Sequence, residues 1–592
     1  MRHQGFAGVA SALAAHLSRR RRWQLVGLGV LTVTATFAEL LSISAAFPFL
    51  AVLAAPERLF GMPAVGPFLH FFGVTTPLGL IGPFSLLFAV AILIASALRL
   101  TLVWAQTRLA HLIGIDLAGE IFMRTLHQPY SVHAKRNSAQ VISVVNGKSA
   151  KLVSGFVLPL LTILNAVTLL GTALAALLAF LPGVGLPLLG GISAIYALTG
   201  FALRGKVRGN GDMISREMPR ALQALQEGLG GIRDVLLDSS QSIHVSRFER
   251  SIRRLRLATA ANIILGAAPR YIVEALGMIL IVLIAYRLAT GPAGLDSALP
   301  LLGGLALGAQ RLLPVAQQAY NGWVQIRGAQ PAIADCLTYL DQPFDREKIN
   351  RRPDPLPFVR DIRLEGVGLR YEAAKRPALE GIDLHIPRGS RLGIIGPTGS
   401  GKSTLADILM GLISPDRGRM YIDDLPLDAD ALSAWQRHIA HVPQAIFLTD
   451  ATLAENVAFG EERGRIDMAR LAHAVAHAQL SETVRALPEG LETRVGERGV
   501  RLSGGQRQRI AIARALYREA DVIVFDEATS ALDTATEARV MDAIEALDTD
   551  LTLIMIAHRV STLRTCDRIV EIKDGRIVRE GTPADILGTQ NG

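Results

Sequence analysis

Along the first 330 residues the apolar positions run in long, nearly unbroken stretches, near 24 to 54, 82 to 105, 154 to 181, 184 to 203, 268 to 289 and 297 to 325. A bilayer-spanning helix needs about 20 such residues, so six transmembrane helices are predicted. After Arg360 the pattern changes to short strands and amphipathic helices of ordinary polarity. The stretch LDQPFDREKINRRPDPLPF between them is rich in proline and charge and reads as a boundary. A chain of 592 residues exceeds one hydrophobic core. The pattern therefore predicts a multidomain chain: an all-α six-helix transmembrane domain over 1–340, a linker over 341–358 and an α/β domain over 359–592.

Charge orients the membrane half. Arg19 to Arg22 precede the first span, Arg124, Lys135, Arg136, Lys148 and Lys151 follow the second, and eleven arginines and lysines lie between Arg204 and Arg256. The other connections are nearly free of them. Cytoplasmic loops collect Lys and Arg, so both termini are expected in the cytosol. The net charge of +9 is thus topological and does not point to nucleic acid. The two basic connections have helical patterning and should continue the membrane helices, with HQPYSVHAKRNSAQ and EGLGGIRDVLLDS as candidate docking elements or, alternatively, solvated loops. The N-terminal FAGVASALAAHLSRRRRW reads as a surface amphipathic helix, with a transit peptide as the alternative. Cys336 and Cys566 are too few for a metal or disulfide framework and fit a reducing compartment.

Candidate chemistry lies in the second half. In RLGIIGPTGSGKSTLADILMGL an apolar strand, Arg391 to Ile395, runs into Gly396, Pro397, Thr398, Gly399, Ser400 and Gly401, then Lys402, Ser403, Thr404 and a helix. This is the P-loop pattern in its required context: backbone N–H groups wrap phosphates, Lys402 neutralises the terminal ones and Ser403 reaches Mg²⁺. A second apolar strand in DVIVFDEATSALD ends in Asp526, placed to hold Mg²⁺ through water, and Glu527, placed to take the proton of an attacking water. A third, LTLIMIAHRV, carries His558 to the same sheet edge. In RLSGGQRQRIAIARAL, Ser503, Gly504 and Gly505 open a basic helix, a second anion site.

These motifs resemble the ATP-binding cassette transporters, in particular exporters with fused membrane and nucleotide-binding domains. GPTGSGKST resembles Walker A, VIVFDE Walker B, LSGGQ through Gln506 the signature, VPQ the Q-loop, SALD the D-loop and TRVGERG the X-loop. The resemblance implies that Tyr371 stacks on adenine, that Gln444 contacts Mg²⁺ and the catalytic centre, that Asp533 belongs to the nucleotide site and that His558 is the switch histidine. It also implies a homodimer holding two ATP molecules between Walker A of one chain and the signature of the other, with ATP hydrolysis driving transport across a bacterial inner membrane.

Charges within the spans bear on the cargo. Arg99 and Arg311 fall at similar depth on different helices, and burying either uncompensated costs at least about 3 kcal/mol. One reading has them facing an anionic cargo. The other pairs them internally with Glu39 or Glu274, although counting from the inner end of the first span puts Glu39 nearer the outer leaflet, and Glu274 sits one turn from Arg270. ELLSISAAFPFLAVLA, APRYIVEALG and QRLLPVAQQAYN resemble bacterial lipid-linked oligosaccharide flippases. That group has a second basic residue two turns after the arginine of the last span, where this chain has Gln318. The aromatic segment Leu59 to Val74 resembles their external helix, or is an interfacial belt. The expectation is export or flipping of a lipid-linked anion; a broad drug or lipid exporter and an ATP-gated channel or sensor are the alternatives.

Overall fold

The computed structural model describes residues 6–54, 56–60, 74–180, 182–289, 294–345, 354–372, 374, 376–428, 431–496, 499–500, 502–527, 534–545, 550–557 and 563–587, with backbone alone for parts of the helices, including 176–180, 182–189 and 294–312. The chain forms two compact units, Met1–Gln128 with Lys135–Phe344, and Pro129–Ala134 with Asp345–Gly592.

The first unit is helical. After α1 (Phe6–Ala15) come α2 (Arg19–Ala54), α3 (Ile81–Leu126), the short α4 (Tyr130–Lys135), which but for Lys135 belongs to the second unit, and a continuous helix over 138–180, α5, whose ladder widens to π turns at Ser143–Lys148 and Val153–Val157. Then follow α6 (Pro182–Gly230), α7 (Ile232–Leu237), α8 (Gln241–Ala289) and α9 (Gly294–Leu340). Among the described residues Arg19–Ser42, Pro77–Leu126, Ser138–Ala175 and Gln241–Ile279 are long and apolar enough to cross a membrane. The expected spans at 184–203 and 297–325 fall partly on residues without described side chains. At 1.5 Å per residue the 49 residues of α6 span about 74 Å, more than twice a bilayer core. The basic connection is therefore helix that runs on past the apolar stretch, as its patterning predicted.

Buried side chains recur at helical spacing: Leu109, Ile113, Leu117 and Ile121 on α3, and Ile326, Ile333 and Leu340 on α9, pack with Leu152 and Phe156 of α5. Val9 and Leu13 of α1 join this core, and Arg22 donates to Ala14 O at 2.9 Å, closing the end of α1. The helices α2 and α3 lie antiparallel in one register. Arg21 meets Asp116 (2.8 Å), Glu39 meets Arg99 (3.4 Å) and Phe49 stacks on Phe88 (4.9 Å between ring centres).

The second unit has a four-stranded antiparallel sheet in the order β2-β1-β4-β5 and a six-stranded sheet in the order β10-β9-β3-β8-β7-β6. The strands are β1 (Asp361–Leu369), β2 (Leu379–Pro387), β3 (Arg391–Ile395), β4 (Arg417–Ile422), β5 (Leu425–Pro426), β6 (Ile439–Val442), β7 (Val522–Asp526), β8 (Thr552–Ile556), β9 (Arg568–Lys573) and β10 (Arg576–Gly581). In the larger sheet β9, β3, β8, β7 and β6 are parallel, with Ile394 and Asp526 both level with Ile556, and Val442 level with Phe525. Both faces are covered. Val522, Val524, Leu392 and Ile394 pack into one core, Ile523, Phe525, Leu553 and Met555 into the other, which is why these strands read as continuous apolar runs.

Candidate functional site

Parallel strands ending at one level bring their following loops to one edge. The loop after β3 carries the P-loop residues, that after β6 carries Gln444, and β7 ends in Asp526 and Glu527.

The P-loop is shaped by backbone. Gly396 has φ +147°, and a Cβ there would lie 2.1 Å from the carbonyl oxygen of Ile572, so only glycine fits. Ser400 N donates to Pro397 O (3.1 Å), and Gly575 N of the β9–β10 turn donates to Ser400 O (3.1 Å). The ammonium of Lys402 is buried inside the loop, donating to Gly396 O at 2.8 Å and Pro397 O at 3.0 Å. Pro397, Thr398 and Gly399 are exposed at the rim. The buried Ser400 Oγ has no hydrogen-bond partner among the described residues. Lys402 starts helix α10 (Lys402–Leu409), whose first turn also holds Ser403 and Thr404. Tyr371 is 41% exposed, with its hydroxyl 3.3 Å from Thr404 Oγ1.

Gln444 Nε2 donates to Glu527 Oε2 at 2.7 Å, joining two residues 83 positions apart. Glu527 has φ +50°, a left-handed conformation uncommon outside glycine, and its N–H donates to Ile556 O at 2.9 Å. Such strain concentrates at functional sites, and here it falls on the residue that follows the strand end.

The edge is crowded with negative charge. Burial pushes the Asp526 carboxyl above the ordinary carboxylate range; the Glu527 charge adds to this, and His441 and Lys402 pull the other way. Asp407, one turn after Ser403 on α10, is pushed up to about 6, first by burial and then by Asp526. This carboxyl escaped the sequence reading. The i, i+4 spacing from Ser403 was the signal that could have found it. Residues 129–134 group with this unit, and burial followed by the Asp407 charge raises the Tyr130 phenol above its usual value.

The signature segment opens α11 (Gly504–Tyr517) with a reciprocal cap: Gln506 N donates to Ser503 Oγ (3.2 Å) and Ser503 N to Gln506 Oε1 (2.8 Å). Gly504 and Gly505 form its first turn. Asp533 and His558 lie outside the described residues.

In the first unit one expectation is corrected. Glu39, placed nearer the outer leaflet by depth counting, accepts from Arg99 at 3.4 Å. The way α2 lies along α3 brings the two residues level, which counting along one helix cannot show. Counted down from the facing ends, Ala54 and Ile81, the two residues sit about 22 and 27 Å along their helices. Arg99 is 56% and Glu39 16% exposed. Arg270 and Glu274 are paired at 3.7 Å, as their spacing predicted. Gln318 is exposed, whereas its neighbour Gln317 is buried, accepting from Tyr196 OH (2.9 Å) and donating to Gly266 O (2.7 Å). The glutamine thus ties α9 to the backbone of α8 and to the side chain of Tyr196 on α6. The side chain of Arg311 and residues 61–73 of the aromatic segment lie outside the described residues.

A family model described as ABC transporter matches residues 379–530, and one described as ABC transporter transmembrane region matches 47–290. An ATP-dependent lipid A-core flippase of Cupriavidus metallidurans is 34% identical over 372 residues, 62% of each chain. One of Thiobacillus denitrificans is 32% identical over 500 residues, 83% of each chain. The fold matches that of a bacterial Atm1-family ABC exporter with ATP bound, with a TM-score of 0.78 at 23% identity over 96% of both chains. A helical membrane unit, a P-loop unit with its acidic strand end and these relatives together identify the chain as a member of the ABC transporters, a multi-pass exporter with fused transmembrane and ATP-binding domains whose ATP hydrolysis is coupled to translocation.

Proposed function

We propose that the chain works as a homodimer in a bacterial inner membrane, termini in the cytosol, flipping an anionic lipid-linked substrate at the expense of Mg²⁺-ATP. The observation that carries the cargo reading is Arg99. It sits far inside an apolar helix, more than half exposed, with the Glu39 carboxylate at 3.4 Å as its only ion pair among the described residues. A guanidinium facing acyl chains costs about 3 kcal/mol or more, so in the assembled transporter Arg99 faces a polar interior where an anionic headgroup can meet it. Arg311, Gln318 and Glu39 belong to the same proposed cavity. The relatives are named lipid A-core flippases, which supports a lipid cargo; a lipid-linked oligosaccharide is the narrower reading.

In the nucleotide site Tyr371 stacks on the base, residues 396–404 wrap the phosphates, and Lys402 swings from its two loop carbonyls to the terminal phosphates. Glu527, held by Gln444, takes the proton of the attacking water. Ser403, Gln444 and Asp526 are the residues that would hold Mg²⁺, and the raised Asp526 and Asp407 carboxyls fit a site that favours a hard dication. The ion would neutralise charge building on the transferred phosphoryl group. Ser503, Gly504, Gly505, Gln506 and Asp533 of one chain complete the site of the other, and His558 contacts the terminal phosphate. Tighter ATP binding by the closed pair than by the open one shifts the membrane helices between two states.

The test uses sealed vesicles carrying the wild type, Arg99→Ala or Arg311→Ala, with a fluorescent lipid-pyrophosphate oligosaccharide in one arm and labelled lipid A-core in the other. Translocation should fall at least tenfold in the variants while ATP turnover persists. Unchanged translocation of both lipids would overturn the cargo reading, and the arm that moves in the wild type selects the lipid class.

A further inference from the structure

Apart from the Arg99 level, the first unit contains a cavity of about 640 Å³ bounded by α5, α6 and α9. Its walls are apolar and aromatic, with Val167, Leu170 and Leu174 on one side and Tyr196, Tyr320 and Trp323 on the other. Two cations line it, Arg204 and Arg327, and no acidic residue does. Their placement is ordered. On α6 the lining runs from Ser193 to Arg204 and on α9 from Ala316 to Arg327, 11 residues or about 16 Å on each helix, with the arginine at the C-terminal end of both. The two helices therefore present an apolar trough with both guanidiniums at its same end.

The guanidiniums are stacked rather than paired. Arg204 lies 4.2 Å from the centre of the Phe201 ring and Arg327 lies 5.9 Å from that of Trp323. Neither has a carboxylate within 4.0 Å among the described residues. Stacking covers the flat face of a guanidinium and leaves its N–H edge for a bidentate acceptor, and phosphate matches that edge. A second polar group is also unspent. Tyr320 is 6% exposed, yet its hydroxyl has no hydrogen-bond partner among the described residues. A buried hydroxyl in apolar surroundings costs free energy unless something accepts from it.

We propose that this cavity binds an anionic phospholipid of the surrounding bilayer, its phosphate on Arg204 and Arg327, one acyl chain in the trough and an ester oxygen on Tyr320 OH. The volume is that of a small-ligand pocket. The proposal does not depend on which cargo the transporter moves.

Trp323 reports on it. In the full chain with Trp23→Phe and Trp104→Phe, the other tryptophan is Trp435, fully buried in the second unit, which gives a constant background. In phosphatidylcholine nanodiscs, phosphatidylglycerol with brominated acyl chains is titrated against equally brominated phosphatidylcholine, each normalised to its unbrominated form. Quenching requires the chain itself in the trough, so free phosphate cannot mimic it. Half-quenching should occur at a mole fraction at least fivefold lower for the anionic lipid. Arg204→Gln with Arg327→Gln should bring the two curves together, and Arg204→Lys with Arg327→Lys should keep part of the preference. Equal quenching by both lipids, a preference that survives loss of both arginines, or no quenching because a second copy fills the trough would each overturn the proposal.

Discussion

The two units place polar chemistry in opposite ways. In the nucleotide-binding unit, side chains far apart in sequence converge because parallel strands stop at one level: Ile394 and Asp526 are both level with Ile556, and Gln444 reaches Glu527 across 83 positions. In the membrane unit polar groups sit singly on long helices, and each partner is set by packing. Arg99 meets Glu39 from 60 positions away, and Lys148 is bonded to Asp335 from 187. A sheet edge thus gives a motif its geometry through topology alone, whereas a helix bundle does so only once interhelical register is known. The first kind of site should fail sharply when one group is removed, and the second should fail by degrees.

The largest effect is expected at the sheet edge. Glu527→Gln removes the proton acceptor and keeps the bond from Gln444 replaceable, so ATP turnover should fall by about 10² to 10⁴ while nucleotide binding persists. Brisk hydrolysis in a coupled assay would show that another group is the base and that the edge is less concentrated than its topology suggests. Next comes Gly396→Ala. Its Cβ would stand 2.1 Å from Ile572 O at φ +147°, so the loop must move. Strain of this kind costs about 1 to 3 kcal/mol, and ATP affinity by equilibrium binding should drop at least tenfold. Wild-type affinity would mean that the loop tolerates displacement.

Legibility in the sequence followed the same division. The strand Arg391–Ile395, the glycines after it and the acidic end of β7 were readable because each residue's role depends on neighbours within a few positions. Asp407 is equally local, on the helix face it shares with Ser403, but it lies outside the P-loop pattern that makes its neighbours legible. The membrane spans were readable from their length. The pairing of Glu39 with Arg99 was not, because depth counted from one helix end carries no information on how α2 slides along α3. Three contacts now fix that register: from Arg21 to Glu39 is 18 residues up α2 against 17 down α3 from Asp116 to Arg99, and Glu39 to Phe49 is 10 against 11 from Arg99 to Phe88. The bond from Gln317 to Gly266 O is of the same kind, since it too depends on how two helices pack.

A smaller effect separates the titration of a carboxyl from simple packing at the edge. Asp407 has its carboxyl raised from 3.8 to about 6, so the folded chain holds this proton more tightly than the unfolded one. Stability from this group is therefore complete below pH 3.8 and is lost as pH rises to about 6. Asp407→Asn removes the ionisable group, so its stabilising effect should be absent near pH 3.8, open between there and pH 6 and stay constant above. Thermal unfolding of the full chain with Trp23, Trp104 and Trp323 changed to Phe, followed through the buried Trp435, measures it. A gain independent of pH would assign the effect to packing.

The smallest effect is expected where the two units differ most. Glu39 and Arg99 form an ion pair at 3.4 Å with the arginine 56% exposed, so neither group is locked by its surroundings. Polar pairs between membrane helices couple by about 0.6 kcal/mol on average, because each partner finds other partners when the pair is broken. A double-mutant cycle with Glu39→Gln and Arg99→Gln, read by unfolding in detergent, should give a coupling energy below about 1 kcal/mol. In transport the same cycle should be lopsided, since the arginine is assigned to the cargo and the glutamate to holding the arginine. Arg99→Gln should abolish most flux, and Glu39→Gln should leave it or raise it, because an unpaired guanidinium attracts an anion more strongly. A coupling of several kcal/mol with equal loss of flux in both variants would make the pair a structural clamp. The membrane unit would then concentrate its chemistry as tightly as the sheet edge does.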